Sequence, residues 1–214
     1  MPAITDSRLQ LAIEGLSAPG IVIGHRLISH GDEHALMPEE THAFASSVVE
    51  VRRASGAARI IARQLLEGLG YTLCALPKSP SGGPMWPHGI VGSLSHDSRV
   101  AVAAVGTKRQ VAALGIDIEP AEFLPPELLD IVATPQERLR IGDDPYCGRL
   151  LFAAKEAVYK AVYPLDRTFL DHHDVEIDFA DRKATLRNGR VVELRFCICA
   201  HLVVLAFVPG ARVY

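Results

Sequence analysis

From Leu150 to Tyr163 the chain reads Leu-Leu-Phe-Ala-Ala-Lys-Glu-Ala-Val-Tyr-Lys-Ala-Val-Tyr, a helical stretch apolar nearly all the way round. A helix of that kind is buried on most of its surface, so other elements have to cover it. Lys155, Glu156 and Lys160 are its only charges. Glu156 and Lys160 stand at i and i+4, but such a pair adds only about 0.2–0.5 kcal/mol in an isolated helix. Desolvated charges need stronger partners. A divalent cation together with phosphate supplies both signs.

A second segment, Gly115-Ile116-Asp117-Ile118-Glu119, repeats the theme on a strand. Residues i and i+2 of a strand share a face, so Asp117 and Glu119 point one way, Ile116 and Ile118 the other. Two carboxylates on one face repel unless neutralised, and a hard cation with oxygen ligands does this well. A pair of surface acids on a half-exposed strand is the competing reading of these two residues alone. Together with Glu156 they make a three-carboxylate set that reads as a magnesium and phosphate site.

The balance of 49% hydrophobic and 22% charged residues is that of a globular chain with a sizeable core. A net charge of -3 gives no general attraction to nucleic acid or to an anionic membrane, so any anion site is local. Cys74, Cys147, Cys197 and Cys199 match neither a zinc signature nor a disulfide framework and read as free thiols. The first residues show no basic region followed by an apolar stretch, and no apolar run is long enough to span a bilayer. We expect a cytoplasmic protein.

Ile21 to Ile28 reads as an early strand. A helical pattern runs from about Pro38 to Leu69, best from Arg52, with Ser55 and Gly56 weakening its middle so that two helices are open. Four prolines and two glycines between Pro77 and Pro87 make a loop. Short strands follow at Ile90–Leu94, Val100–Val105 and Val111–Ile118. Thr134-Pro135-Gln136-Glu137 carries the signs of a helix start. Pro145 opens the apolar helix and Pro164 ends it. Asn188-Gly189 marks a hairpin, and residues 201–208 form another strand. The class is α/β (α+β), with strands largely in hairpins. No glycine-rich nucleotide fingerprint follows the first strand. Gly92-Ser93-Leu94-Ser95-His96 misses the G-x-S-x-G elbow of a hydrolase, but Ser95 and His96 can face a phosphate. His30, His34, His42, His172 and His173 are scattered through loops and read as surface residues. Trp86 either packs under its loop or stacks on a ring.

Three motifs in order then carry a resemblance: Gly82-x-Pro-x-Trp-Pro-x-Gly-x-x-Gly-Ser-Leu-Ser-His96, Gly115 to Glu119, and Lys155-Glu-Ala-x-Tyr-Lys160. Leu36-Met37-Pro38-Glu39-Glu40 adds an early match. The chain resembles a 4′-phosphopantetheinyl transferase of the surfactin- and enterobactin-synthase type, which serves siderophore, polyketide and nonribosomal peptide synthases. The matches run from about residue 36 to 164. The resemblance implies two similar halves forming a pseudo-dimer, 1–110 and 111–214, with coenzyme A in the cleft between them and no need for a second copy. It implies transfer of the phosphopantetheine arm of coenzyme A to a serine of an apo acyl, aryl or peptidyl carrier protein, with release of adenosine 3′,5′-bisphosphate. By the same resemblance, Asp117, Glu119 and Glu156 hold Mg²⁺, and Glu156 or a water held by the acids takes the serine proton. Asp117, Glu156 and Lys160 are then catalytic. Lys155 and Lys160 contact coenzyme A phosphates, as do Ser95 and His96, while Arg53 and Arg59 reach the nucleotide 3′-phosphate and Lys78 fits a loop lysine of the family. Ser81 stands where some relatives have a second loop lysine, and Phe152 where some have tryptophan. Carrier choice is expected on an apolar surface around Phe123 to Leu129. A Mg²⁺-dependent phosphohydrolase and a non-catalytic carrier- or coenzyme A-binding module are the alternatives from the same residues.

Overall fold

A computed structural model describes residues 5–142 and 144–210. The reading of the first few residues as lacking a leader therefore falls partly outside the described residues. Two antiparallel sheets dominate. In the first, strands β1 (Ile21–Leu27), β3 (Val100–Thr107) and β2 (Ile90–His96) lie in the order β1-β3-β2. In the second, β4 (Val111–Pro120), β8 (His201–Pro209), β7 (Val191–Ile198), β6 (Lys183–Leu186) and β5 (Val175–Asp178) follow in that order. The change of sheet falls between Thr107 and Val111. Each sheet carries one 20-residue helix: α3 (Val49–Gly68) on the first and α6 (Cys147–Asp166) on the second. Shorter helices are α1 (Ser7–Glu14), α2 (Pro38–Thr41), α4 (Pro126–Val132) and α5 (Pro135–Ile141).

The alternation expected along the acidic strand is present. Leu114, Ile116 and Ile118 of β4 join Val100, Val102 and Ala104 of β3 and Val203 and Leu205 of β8 in one core. The two sheets thus share buried apolar surface, which is the main favourable term holding them together. The opposite face of β8, Leu202, Val204 and Ala206, packs under α6 with Ala153, Ala157 and Ala161. Asp117 and Glu119 pair with Val204 and Leu202 in the ladder and so lie on the α6 side.

Gly115 lets α6 come this close. A Cβ there would sit 2.0 Å from the carbonyl oxygen of Ala157 and 2.6 Å from the nitrogen of Ala161, both helix backbone. Backbone cannot give way as a side-chain end can. Gly115→Ala is expected to cost about 3 kcal/mol, at the upper end of ordinary overpacking, as read from urea unfolding midpoints. Gly56 plays the same part in α3, where a Cβ would lie 1.9 Å from the Asp32 carbonyl oxygen. The weak spot at Ser55-Gly56 is therefore a packing contact inside α3; the expected helical stretch from Pro38 divides earlier, between Thr41 and Val49. Pro164 lies within α6 and does not stop it. The turn closes beyond the proline with the Arg167 N–H donating to the Tyr163 carbonyl at 2.8 Å. Thr134 and Glu137 form the expected capping box of α5. The 188–189 turn closes through the Gly189 N–H on Leu186, with Gly189 at φ 82°. Trp86 packs on Gly92 of β2, so it serves the loop and the sheet. The four cysteines are free, and burial pushes the Cys197 thiol up to about 12. Among the described residues no helix is long and apolar enough to cross a membrane.

Candidate active site

The site lies where β2 meets β4 under α6. Asp117 is almost fully buried. Its Oδ1 accepts hydrogen bonds from Lys160 Nζ at 2.6 Å and Ser95 Oγ at 2.7 Å. Lys160 Nζ also donates to Ser95 Oγ at 3.1 Å, closing a triangle across β2, β4 and α6. Asp117 Oδ2 is buried and has no hydrogen-bond partner. An unpartnered buried carboxylate oxygen is costly, and a cation is the ligand that relieves it.

Two residues further along β4, Glu119 Oε2 lies 3.1 Å from Arg149 Nη1 in the first turn of α6. Partial burial, then the nearby Asp117 charge, push the Glu119 carboxyl above its ordinary range, and Arg149 pulls the other way. Arg149, Glu156 and Lys160 lie on one stripe of α6, and the outer two each hold one carboxylate of β4. Glu156, between them, lines a cavity of about 190 Å³ with Tyr159, Phe169, Leu170, His172 and Val175. Tyr159 and Phe169 meet edge to face at 5.9 Å between ring centres.

The three expected metal ligands are not gathered: among the described residues no three acidic, histidine or cysteine side chains converge as a metal cluster. Lys160 and Arg149 already neutralise Asp117 and Glu119, and Glu156 faces the cavity. The donor set nonetheless fits a hard divalent ion. Asp117 offers an unused buried oxygen, and Glu119 stands on the same face of the same strand.

Several residues expected to contact phosphate have partners inside the fold. Lys155 is buried, and Nζ donates to Glu137 Oε2 at 2.6 Å, the His172 carbonyl at 2.7 Å and the Val132 carbonyl at 2.8 Å. All three ammonium hydrogens are used within the fold. Burial pulls this ammonium below its ordinary value, against the pull of Glu137. Arg59 is buried too. Its guanidinium donates to the carbonyls of Leu76 and Ser55 and lies 3.7 Å from Glu40, inside the fold. Ser95 spends its hydroxyl hydrogen on Asp117. Arg53 forms a two-point pair with Glu33, at 2.9 and 3.2 Å, which holds the Glu33 carboxyl down to about 2. Lys78 is exposed and stacks on Phe44, its Nζ 4.4 Å from the ring centre. His96 sits at the end of β2. The protein around its ring, which disfavours the cation, and the nearby Lys160 charge hold it below its usual pKa.

Sequence reasoning missed Arg149, one position before the apolar stretch it was reading. It also missed Asp97, whose Oδ2 lies 2.7 Å from His201 Nδ1, a close contact off the hydrogen-bonding axis that ties the β2–β3 turn to β8. Of the stretch Phe123 to Leu129, Phe123 and Leu128 are exposed, Leu124 is buried and Leu129 half-buried; Ile131 just beyond is exposed, and Arg149 Nη2 holds the Phe123 carbonyl at 3.0 Å.

The acidic pair of β4, with Lys160 on Asp117 and Arg149 on Glu119, thus lies under α6 beside the end of β2. Residues 39–106 match the 4′-phosphopantetheinyl transferase N-terminal domain, and 113–208 match the 4′-phosphopantetheinyl transferase superfamily. The chain is 39% identical over 176 residues to the 4′-phosphopantetheinyl transferase Npt of Nocardia iowensis, covering 80% of this chain and 79% of that one. It is 38% identical over 163 residues to PptT of Mycobacterium tuberculosis, covering 73% and 70%. With enterobactin synthase component D of Escherichia coli K12 it shares 35% over 126 residues, covering 54% and 57%. The chain belongs to the 4′-phosphopantetheinyl transferase family. Members of that family move phosphopantetheine from coenzyme A to carrier proteins, and the chain is an enzyme of this kind.

Proposed function

We propose that the reaction here is Mg²⁺-dependent and releases adenosine 3′,5′-bisphosphate, with Asp117 and Glu119 holding the cation and Glu156 completing the set. The observation that carries this reading is the buried, unpartnered Oδ2 of Asp117 beside an Oδ1 held by Lys160 and Ser95. A divalent cation there neutralises charge on the phosphoryl oxygens and on the leaving group. Glu156 lines a cavity with the rings of Tyr159, Phe169 and His172, which offers a place for the pantetheine arm. It takes the proton as the serine oxygen bonds to the β-phosphorus and the bond to the bridging pyrophosphate oxygen breaks. Lys160 is poised to donate to a phosphoryl oxygen from its place on Asp117. Lys78 and His96 are the groups left for the nucleotide end, in a half bounded at about residue 110. Arg53 can join them by leaving Glu33, whereas Lys155 and Arg59 hold the fold. The carrier docks on the face of Phe123, Leu128 and Ile131. The protein acts as a monomer in the cytoplasm, with no nucleic acid or membrane partner.

Intact mass spectrometry of an apo carrier protein, incubated with the chain, coenzyme A and Mg²⁺, tests this. The carrier is expected to gain the mass of one phosphopantetheine, and a chelator is expected to abolish the gain. Phosphopantetheine released without any carrier would point to a hydrolase. Transfer that survives exhaustive chelation would remove the metal from the reading.

A further inference from the structure

Arg149 has no part in the reading above except as a neighbour, yet it grips the site twice. Its Nη1 lies 3.1 Å from Glu119 Oε2 and its Nη2 donates to the Phe123 carbonyl at 3.0 Å. Nε is buried with no hydrogen-bond partner. A guanidinium that leaves one donor unsatisfied while gripping a carboxylate is held there by charge, at a cost in hydrogen bonding. Gly148 seats the start of α6 against Leu124 and Leu129, so the turn bearing Arg149 is fixed on the segment that leads into and through α4. The contrast with Lys160 is instructive. Lys160 takes Asp117 Oδ1 and leaves Oδ2 unpartnered, whereas Arg149 sits on the carboxylate that a cation at Oδ2 would need next.

We propose that Arg149 is the counter-cation that Glu119 carries in the metal-free protein, and that it competes with the divalent cation for Glu119 and so sets the affinity of metal loading. This rests on the reading that Asp117 and Glu119 hold the cation. Removing the competing charge leaves Glu119 half-buried and unpaired, ready for the metal. The pair is partly exposed, 17% and 21% for the two side chains, so its loss translates into a modest gain in metal affinity.

The test is Mn²⁺ binding to the chain alone, without coenzyme A or carrier, followed by electron paramagnetic resonance of the free ion. Arg149→Gln is expected to bind Mn²⁺ roughly three- to tenfold more tightly than the natural chain. Arg149→Lys keeps the charge and is expected to stay within about twofold. Thermal melting gives a second reading: Mn²⁺ should raise the melting temperature of Arg149→Gln more than that of the natural chain. Equal or weaker Mn²⁺ binding by Arg149→Gln, with binding abolished in Asp117→Asn, would overturn the role of Arg149 and leave the cation site standing. A Lys variant that matches the Gln variant would overturn it too, because packing and not charge would then be at work. Undiminished binding in Asp117→Asn would instead remove the cation site itself.

Discussion

Asp117→Asn is expected to lower carrier modification by about 10³-fold or more while the protein stays folded. The two carboxylate oxygens have separate duties, and this makes the substitution informative. Oδ1 accepts from Lys160 and Ser95, and an amide oxygen can accept both bonds, the one from Lys160 without its charge assistance. Oδ2 has no partner, so putting an amide nitrogen in its place breaks no hydrogen bond. That nitrogen carries protons and no charge, and it cannot face a cation. Lys160 loses its counter-charge but is 28% exposed and can turn to water, so the loss of stability should stay near 1 kcal/mol. The measurement is initial-rate mass spectrometry of the carrier with a melting curve on the same sample. A variant with unchanged melting and most of its activity would show that the unpartnered oxygen has no part in the chemistry.

Much of this could be read in the chain because its signals are local. The period-2 alternation of β4 placed Asp117 and Glu119 on one face, and the ladder with β8 bears that out. The capping box at Thr134 and the Asn188-Gly189 turn each depend on a few adjacent residues, and both are where the sequence put them. Helix α1, capped by Asp6, helix α4, opened by Pro125-Pro126, and the short strand β5 went unread, since none carries a long periodic pattern. The harder problem was what each charge is for. Glu40, in the segment that resembles the family, is fully buried. It accepts from Arg63, Met37 and Leu76 and thereby holds the loop after α3. Arg59 takes the Leu76 carbonyl from the other side. Motif residues thus divide into those that brace the fold and those that gather at the acidic pair. A one-dimensional pattern cannot separate them, because the deciding partner lies elsewhere in the chain. For Lys155 that partner is Glu137, 18 residues away.

Lys155→Met is the sharpest test of that division, and it is expected to cost about 3–5 kcal/mol of stability while leaving coenzyme A affinity unchanged in the folded protein. Lys155 and Glu137 are 1% and 2% exposed, so neither can turn to water when the other is lost. Glu137 keeps the N–H donors of Ile177 at 2.7 Å and Thr134 at 2.8 Å. Two amides do not balance a buried carboxylate as an ammonium does, and the Val132 and His172 carbonyls lose their donor as well. Methionine nearly conserves the volume, so the loss is electrostatic and not a cavity. Removing both charges does not restore the natural stability, because Glu137 also closes the capping box of α5 and holds the start of β5. Lys160→Met provides the contrast. Its ammonium is partly exposed but its partner Asp117 is buried, so Lys160→Met should cost about 1–2 kcal/mol, less than Lys155→Met, while transfer falls steeply. Urea unfolding and coenzyme A titration on both variants separate the two roles. If Lys155→Met unfolds at the natural midpoint and binds coenzyme A ten times more weakly, as judged by about 1.4 kcal/mol in binding free energy, then Lys155 is a phosphate contact after all and its pairing with Glu137 is idle.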